Sequence, residues 1–131
     1  VEAGLRLTQS VHAGKIDGVF ACTDVVASGV LQAFLHDSIH VPGDVSVVGF
    51  DDSYHSAQLV VPLTTIRVPA REIGRTSVRL LSEALSAPER ATGVHQVFQP
   101  TLIRRQSTKA KVVRKVPPVR AVTEPSIELS V

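Results

Sequence analysis

The sequence predicts an α/β fold built on part of a doubly wound parallel sheet. Two short apolar runs, at residues 19–22 and 44–50, have the composition of buried strands, and strands that are covered on both faces usually belong to parallel sheets. Residues 24–36, between them, follow a helical pattern that begins after Thr23, a good N-cap residue. The order strand, helix, strand therefore predicts a β-α-β unit with a right-handed crossover.

The stretch at residues 41–52, V-P-G-D-V-S-V-V-G-F-D-D, combines a turn, a buried strand and two carboxylates. Pro42 and Gly43 are typical turn residues, and the valines that follow are interrupted by a single serine. Asp51 and Asp52 come directly after this strand. Because open α/β sheets bind their ligands beyond the carboxyl ends of the strands, a binding site is expected here.

Helical patterns also cover the beginning of the chain, as far as a stop at Gly14, and residues 70–85. Residues 63–68 predict a further strand, and residues 94–99 and 100–106 predict two more. No strand or cap residue precedes the first helical pattern. We therefore expect the chain to be the later part of a longer protein.

The charge of the chain is unevenly distributed. Its 131 residues carry a formal net charge of +2. Residues 1–108 hold nine Lys and Arg against ten Asp and Glu, whereas residues 109–131 hold five against two, so the basic excess lies in the tail. This tail contains three prolines and no periodic pattern, which predicts a disordered basic extension. Such a tail could bind nucleic acid only weakly and in a salt-dependent way.

The composition argues against several classes of protein. No apolar run approaches the roughly 18 residues that cross a bilayer, and no charged and then apolar signal opens the sequence. The single cysteine, Cys22, excludes an intrachain disulfide, and its apolar surroundings predict a small buried side chain. These features predict a cytoplasmic protein without a membrane partner.

The residues predict neither catalysis nor a cofactor or metal site. Asp51 and Asp52 are adjacent, so on an extended strand their side chains would point to opposite faces and could not form an acid–base pair. His36 and His40 have helical spacing, but Pro42 ends any helix there and no third metal ligand is spaced to join them. The eight glycines are scattered and form no phosphate-binding loop.

Five motifs span residues 21–108. They are A-C-T-D-V-V-A-S-G-V-L-Q-A at 21–33, V-P-G-D-V-S-V-V-G-F-D-D at 41–52, P-L-T-T-I-R at 62–67, I-G-R at 73–75 and P-T-L-I-R-R-Q-S-T at 100–108. In this order they resemble the effector-binding core of the LacI/GalR (lactose-repressor/galactose-repressor) family of bacterial transcription regulators. The resemblance implies a fold similar to one lobe of a type I periplasmic-binding-protein-like domain.

The same resemblance implies a division of the chain. Residues 1–68 would form the second, C-terminal lobe, residues 69–90 a helix of the first lobe, and residues 91–108 strands that return to the second lobe. Residues 109–131 lie outside the resemblance. The implied function is the sensing of a small effector, a sugar or sugar-like molecule, by a transcription regulator. Operator DNA would be bound through an N-terminal helix-turn-helix that is not in these residues.

Four residues at the predicted strand ends are candidates for effector binding. Asp51 could accept two hydrogen bonds from the vicinal hydroxyls of a sugar, with a turn-forming role as the alternative. Thr23 could add a hydroxyl, and Phe50 an apolar wall for the ring. Asp24 stands at a helix start, where capping is the alternative to effector contact. The resembling family often has Asn where Thr23 stands and Gln where Val68 stands.

The predicted helix at residues 24–36 is apolar nearly all round, which predicts burial on two sides. Part of it would then contact another subunit. The resemblance implies a homodimer formed by this helix and by residues 53–61. By position, the contact would include Ser28, Gln58 and Leu59.

Two other functions remain open at this point. A sugar-binding protein of an ABC transporter uses similar lobes but is exported, and a truncated remnant of a longer gene would sense nothing. The regulator is favoured because residues 41–52 match regulators more closely and because the sequence shows no export signal.

Overall fold

The computed structural model describes residues 2–87 and 95–110. Within them the chain forms three α-helices and four strands, which are α1 Glu2–His12, β1 Gly18–Phe20, α2 Asp24–His36, β2 Ser46–Phe50, β3 Thr64–Arg67, α3 Ala70–Ser86 and β4 Thr101–Ile103. A 3-10 helix, Tyr54–Ala57, lies between β2 and β3. Of the segments predicted above, residues 88–94 and the tail from residue 111 onward lie outside the described residues.

The four strands form one sheet in the order β1-β2-β3-β4. Strands β1, β2 and β3 run parallel, with Val19 beside Val47 and Gly49 beside Thr65. Strand β4 is antiparallel to β3. The predicted α/β fold with a mainly parallel sheet is confirmed, and the antiparallel edge strand is an addition to it.

Helix α2 begins where the sequence predicts because Thr23 caps it. Thr23 has an extended backbone, and its Oγ1 accepts a hydrogen bond from the Val26 amide at 3.2 Å. This bond satisfies one of the amides that the first turn of a helix leaves without a partner. The buried apolar side chains of α2, at Ala27, Val30 and Phe34, belong to the core.

The core lies between α2 and one face of the sheet. Phe34, Val45, Val47 and Leu63 are fully buried in it. Helix α1 packs on the outer side of this cluster through partly buried side chains. Because full burial of a side chain of this size contributes about 1.5–3 kcal/mol, these four residues account for much of the stability of the lobe.

The other face of the sheet is only partly covered by the described residues, and helix α3 buries no residue against them. Phe20 in β1 and Leu102 in β4 are 62% and 57% exposed. Helix α3 has no buried residue, and Val78, Leu81 and Leu85 on it are exposed. Layers of sheet and helix are stable when their apolar faces are covered, so both surfaces are suited to contact further protein.

Two predictions for the first strand are wrong. The predicted strand at residues 19–22 is β1, which ends at Phe20, and Phe20 is exposed because it lies on the sheet face away from α2, at an end that the described residues leave uncovered. Cys22 was expected to be buried, but it is exposed. The physical reason is its place in the loop that follows β1, outside the packed layer.

The strand predicted at residues 94–99 is also wrong over 95–99, where no strand forms. Strand β4 pairs Thr101 with Arg67, so an extension of this ladder would bring Pro100 and Pro69 into it. Neither proline has an amide N–H to donate. The ladder therefore begins at Thr101, which confirms a strand within the region predicted at 100–106.

Candidate functional site

The predicted site residues follow the parallel strands β1 and β2, which end side by side. In the register of these strands Phe20 lies beside Val48. Thr23 follows the end of β1 as the cap of α2, and Asp51 follows the end of β2 directly. Asp24, the first residue of α2, lies at the same edge. This edge is formed by the carboxyl ends of the strands, where open α/β sheets bind ligands.

Asp51 is held in a backbone conformation that few residues adopt. Its φ is +106°, and the φ of Asp52 is +52°. Non-glycine residues in sparsely populated conformations cost about 1–3 kcal/mol each and cluster at functional sites. Asp51 is exposed, and within the described part of the chain no group is hydrogen-bonded to its carboxylate. Both of its oxygens can therefore accept hydrogen bonds from a ligand.

Asp52, in contrast, is bound within the protein. Its side chain is only 7% exposed. Arg67 Nε donates to its Oδ2 at 2.7 Å, and Arg105 Nη2 donates to its Oδ1 at 2.5 Å. Burial raises the pKa of the Asp52 carboxyl, but hydrogen bonds and charge from the two guanidinium groups lower it by more, so the pKa lies below the ordinary 3.8. Asp52 is held as a carboxylate between two arginines.

Arg105 also ties the segment after β4 to the rest of the lobe. Its Nη1 donates to the Leu63 carbonyl at 2.8 Å and lies 3.3 Å from Ser56 Oγ. Two residues later, the Ser107 hydroxyl donates to the Val47 carbonyl at 2.6 Å. These bonds connect the segment after β4 to β2, to the residue that precedes β3 and to the 3-10 helix.

The pairing of Asp52 with Arg67 and Arg105 was not predicted from the sequence. Both stand in the motifs quoted above, P-L-T-T-I-R and P-T-L-I-R-R-Q-S-T. However, 53 residues separate Arg105 from Asp52, and no local pattern predicts a contact over that distance. The one available signal was that two carboxylates follow a buried strand, where carboxylates need positively charged partners.

Asp24 is a buried carboxylate, 3% exposed, that joins three parts of the lobe. The Thr65 hydroxyl donates to its Oδ1 at 2.6 Å, and the Ser53 amide donates to its Oδ2 at 2.7 Å. Gly49 passes so close that an added Cβ would collide with Asp24 Oδ1. Both oxygens of Asp24 are thus engaged within the protein, and its predicted contact with an effector stays a prediction.

Thr23 and Phe50 stand at the same edge in different surroundings. Thr23 Oγ1 accepts the capping hydrogen bond, and its hydroxyl proton can still be donated to a ligand. Phe50 is the last residue of β2, is half-buried and lies beside Ile66. Because side chains alternate along a strand, Phe50 lies on the opposite sheet face from Gly49 and Asp24. The structure brings Phe50 and Asp51 to one strand end.

An open apolar groove lies between α2 and the segment that follows the 3-10 helix. Ser28 and Leu35 line it on one side, and Leu59 and Val60 line it on the other. Leu35 and Val60 are 64% and 84% exposed. Two of the three residues predicted for a dimer contact, Ser28 and Leu59, lie in this groove, and the third, Gln58, is exposed beside it.

Two further features bear on the class of site. Among residues 2–87 and 95–110, no group of three or more His, Cys, Asp or Glu could hold a metal ion. None of the helices that the structure describes is long and apolar enough to cross a membrane.

The geometry is that of an α/β lobe with polar groups beyond the ends of parallel strands, which is where open α/β sheets bind ligands. The sequence profile of the periplasmic binding protein-like domain matches residues 2–108. The chain therefore belongs to the family of periplasmic binding protein-like domains.

Its curated relatives are LacI/GalR-type regulators. The chain is 38% identical over 95 residues to the HTH-type transcriptional regulator RegA of Clostridium acetobutylicum, covering 72% of this chain and 28% of that protein. It is 34% identical over 101 residues to the ribose operon repressor of Haemophilus influenzae, covering 77% of this chain and 29% of that protein. The chain thus spans less than a third of the length of either relative.

Solved structures give the same result. The lac repressor dimer bound to operator and the anti-inducer ONPF is 33% identical with a TM-score of 0.69, over 82% of this chain and 37% of that one. The regulator CelR in complex with cellobiose is 30% identical with a TM-score of 0.71, over 81% and 33%. A LacI family regulator from Lactobacillus casei with bound sucrose is 30% identical with a TM-score of 0.60, over 70% and 33%.

Proposed function

We propose that this chain is the effector-sensing lobe of a LacI-type transcription regulator and that its effector is a sugar or sugar-like molecule. The observation that carries the proposal is the exposed carboxylate of Asp51, held at φ +106° beyond the end of β2 and without a hydrogen bond from the described residues. A strained polar residue at the ligand-binding edge of an α/β sheet is expected where a ligand is bound. Regulators that resemble this chain are described with bound cellobiose or sucrose.

In this proposal the site residues have separate roles. Asp51 accepts hydrogen bonds from two hydroxyls of the sugar, and Thr23 donates one from its free hydroxyl proton. Phe50 provides a flat apolar surface for the ring. Asp24 mainly supports the site from within the lobe, because its oxygens accept hydrogen bonds from Thr65 and Ser53. No catalytic step is assigned, and the chain acts by binding alone.

The proposed division of the chain follows from the uncovered surfaces. Residues 1–68 and 91–108 form the lobe that carries the site, and residues 69–90 contribute a helix to a second lobe. The support is α3, which buries no residue against the lobe described here. A ligand between two lobes favours the orientation in which it contacts both. Operator DNA is then bound by a helix-turn-helix outside these residues, in the cytoplasm.

We also propose a homodimer formed through the groove of α2 and residues 53–61. The groove is apolar, and Leu35 and Val60 at its sides are largely exposed. Exposed apolar patches of this kind mark protein contacts. A lac repressor that resembles this chain is described as a dimer.

The effector proposal is tested by titrating the purified chain with D-glucose, D-ribose, sucrose and cellobiose. Binding is detected by saturation-transfer NMR. We expect saturable binding of at least one sugar. Replacement Asp51→Asn keeps the shape of the side chain but removes its charge, and should weaken that binding about tenfold or more, since a hydrogen bond to a charged group contributes about 1.5–3 kcal/mol.

The matched control is Glu72→Gln, which removes a carboxylate from the exposed first turn of α3. It should leave sugar binding unchanged. The proposal fails if none of the four sugars binds, or if Asp51→Asn binds as tightly as the unchanged chain.

A further inference from the structure

Two consecutive aspartates at the end of β2 both have positive φ, +106° at Asp51 and +52° at Asp52. For residues other than glycine this region is sparsely populated, and such a conformation persists only when its surroundings impose it. Asp51 has no side-chain hydrogen bond that could impose it, as far as the described residues go. Its backbone amide donates to the Ile66 carbonyl at 2.9 Å, which attaches Asp51 to β3. The other restraints on this turn act through Asp52.

Three hydrogen bonds connect Asp52 to other parts of the lobe. Its Oδ2 accepts from Arg67 Nε at 2.7 Å, and its Oδ1 accepts from Arg105 Nη2 at 2.5 Å. Its amide lies 3.4 Å from Thr65 Oγ1. Arg67 and Thr65 belong to β3, whereas Arg105 follows β4 and is itself anchored to the Leu63 carbonyl at 2.8 Å.

The two arginines differ in how firmly they are held. Arg105 has only 18% of its side chain exposed, whereas Arg67 has 57% exposed. Charge-assisted bonds to a largely buried carboxylate are the strongest hydrogen bonds that a protein side chain makes. Asp52 is thus fixed from two sides by donors on two different elements, and the backbone between Phe50 and Asp52 has little freedom left.

We propose that Asp52 is a positioning residue, which with Arg105 and Arg67 forms a clamp that holds Asp51 in its left-handed backbone conformation and presents the Asp51 carboxylate at the sheet edge. The role of the presented carboxylate in sugar binding rests on the function proposed above. The two adjacent acids therefore have different roles. Asp52 is bound within the protein, whereas the Asp51 carboxylate stays available to a ligand. A purely structural Asp52 would stabilise the lobe without fixing the backbone of its neighbour.

The test is NMR spectroscopy of the full chain and its variants. A residue with positive φ brings its amide proton close to its own Hα, which gives a strong intraresidue NOE at Asp51. In Asp52→Gly the carboxylate is lost and the φ of +52° costs nothing for glycine, but glycine also adds backbone freedom. Asp52→Asn keeps the Cβ, so a change at Asp51 in that variant comes from the lost charge of the clamp. We expect the strong NOE at Asp51 to disappear in Asp52→Gly and to weaken in Asp52→Asn. The Phe34 and Leu63 signals, which report the core, should keep their positions.

The control is Glu83→Gln, which removes the charge of an exposed ion pair with Arg79 and should leave the NOE at Asp51 unchanged. If Asp52→Gly does not fold, Arg67→Ala decides, because it removes one tie of the clamp at an exposed side chain and should weaken the NOE. An unchanged NOE at Asp51 in the folded Asp52→Gly variant, or in Arg67→Ala where that variant decides, overturns the proposal.

The outcome is separable from that of the proposed function. If the unchanged chain binds none of the four sugars but the NOE at Asp51 is lost in Asp52→Gly, the clamp stands and the sensing function fails. If a sugar binds and the NOE is insensitive to Asp52, the sensing function stands and the clamp fails. If both stand, Asp52→Gly should also lose sugar affinity by about tenfold or more, as expected for Asp51→Asn.

Discussion

At the scale of single residues, three neighbours at the end of β2 have different tasks that their chemistry explains. Gly49 leaves room for the buried Asp24 carboxylate, Asp51 is exposed with no hydrogen bond to its carboxylate from the described residues, and Asp52 is enclosed by two guanidinium groups. The two adjacent acids differ because Asp52 is hydrogen-bonded to Arg67 and Arg105, whereas no described group is hydrogen-bonded to the Asp51 carboxylate. A carboxylate in this stretch is therefore understood only from its own partners.

Replacement Gly49→Ala tests the close packing beneath the site. The new Cβ would collide with Asp24 Oδ1 and with Leu63 Cδ2. Overpacking of this kind costs typically about 1–3 kcal/mol, so we expect the free energy of unfolding in urea to fall by that amount. Gly29→Ala is the control, because a Cβ at Gly29 in α2 meets nothing within 4 Å, and Ala there should add up to about 1 kcal/mol. Equal effects of the two replacements would show that the Asp24 contact is not tight.

At the scale of elements, the well-predicted parts are those with local signals. The bounds of α2 follow from the Thr23 cap and the helical pattern, and β2 follows from its valines. The strand predicted at 94–99 is wrong over the described residues 95–99, because extending the β3–β4 ladder there would require two prolines to donate hydrogen bonds. The exposure of Cys22 and the contact of Arg105 with Asp52 depend on how layers pack, which no local pattern contains.

The groove beside α2 leads to a prediction at this scale. Leu35→Glu places a charge in the exposed apolar groove, where burial against a partner would desolvate it at high cost. We expect the dissociation constant of the homodimer, measured by sedimentation equilibrium, to rise at least tenfold.

The matched control is Val78→Glu, which introduces the same charge on the exposed face of α3, a surface proposed to contact a second lobe. It should leave the dimer constant unchanged. A monomeric unchanged chain, or equal effects of the two variants, would contradict the proposed dimer surface.

At the scale of the whole molecule, the described chain is a lobe with one closed hydrophobic core and two surfaces that expose apolar side chains. The layer between α2 and the sheet is closed by Phe34, Val47 and Leu63, whereas the opposite sheet face and α3 expose apolar side chains. The fold class was predictable because a β-α-β unit has few alternatives. The site was predictable in place, at the strand ends, but not in its partners, since Arg67 and Arg105 are brought to Asp52 only by the completed sheet.

The central claim is that a sugar binds at the edge formed by Thr23, Phe50 and Asp51. The most direct measurement is chemical-shift mapping of the backbone amides of the full chain during titration with the sugar that binds most tightly. We expect the largest shifts at residues 23–24 and 50–52 and small shifts in α3. Shifts confined to the groove at Ser28, Leu35 and Val60, or no saturable shifts with any of the four sugars, would contradict it.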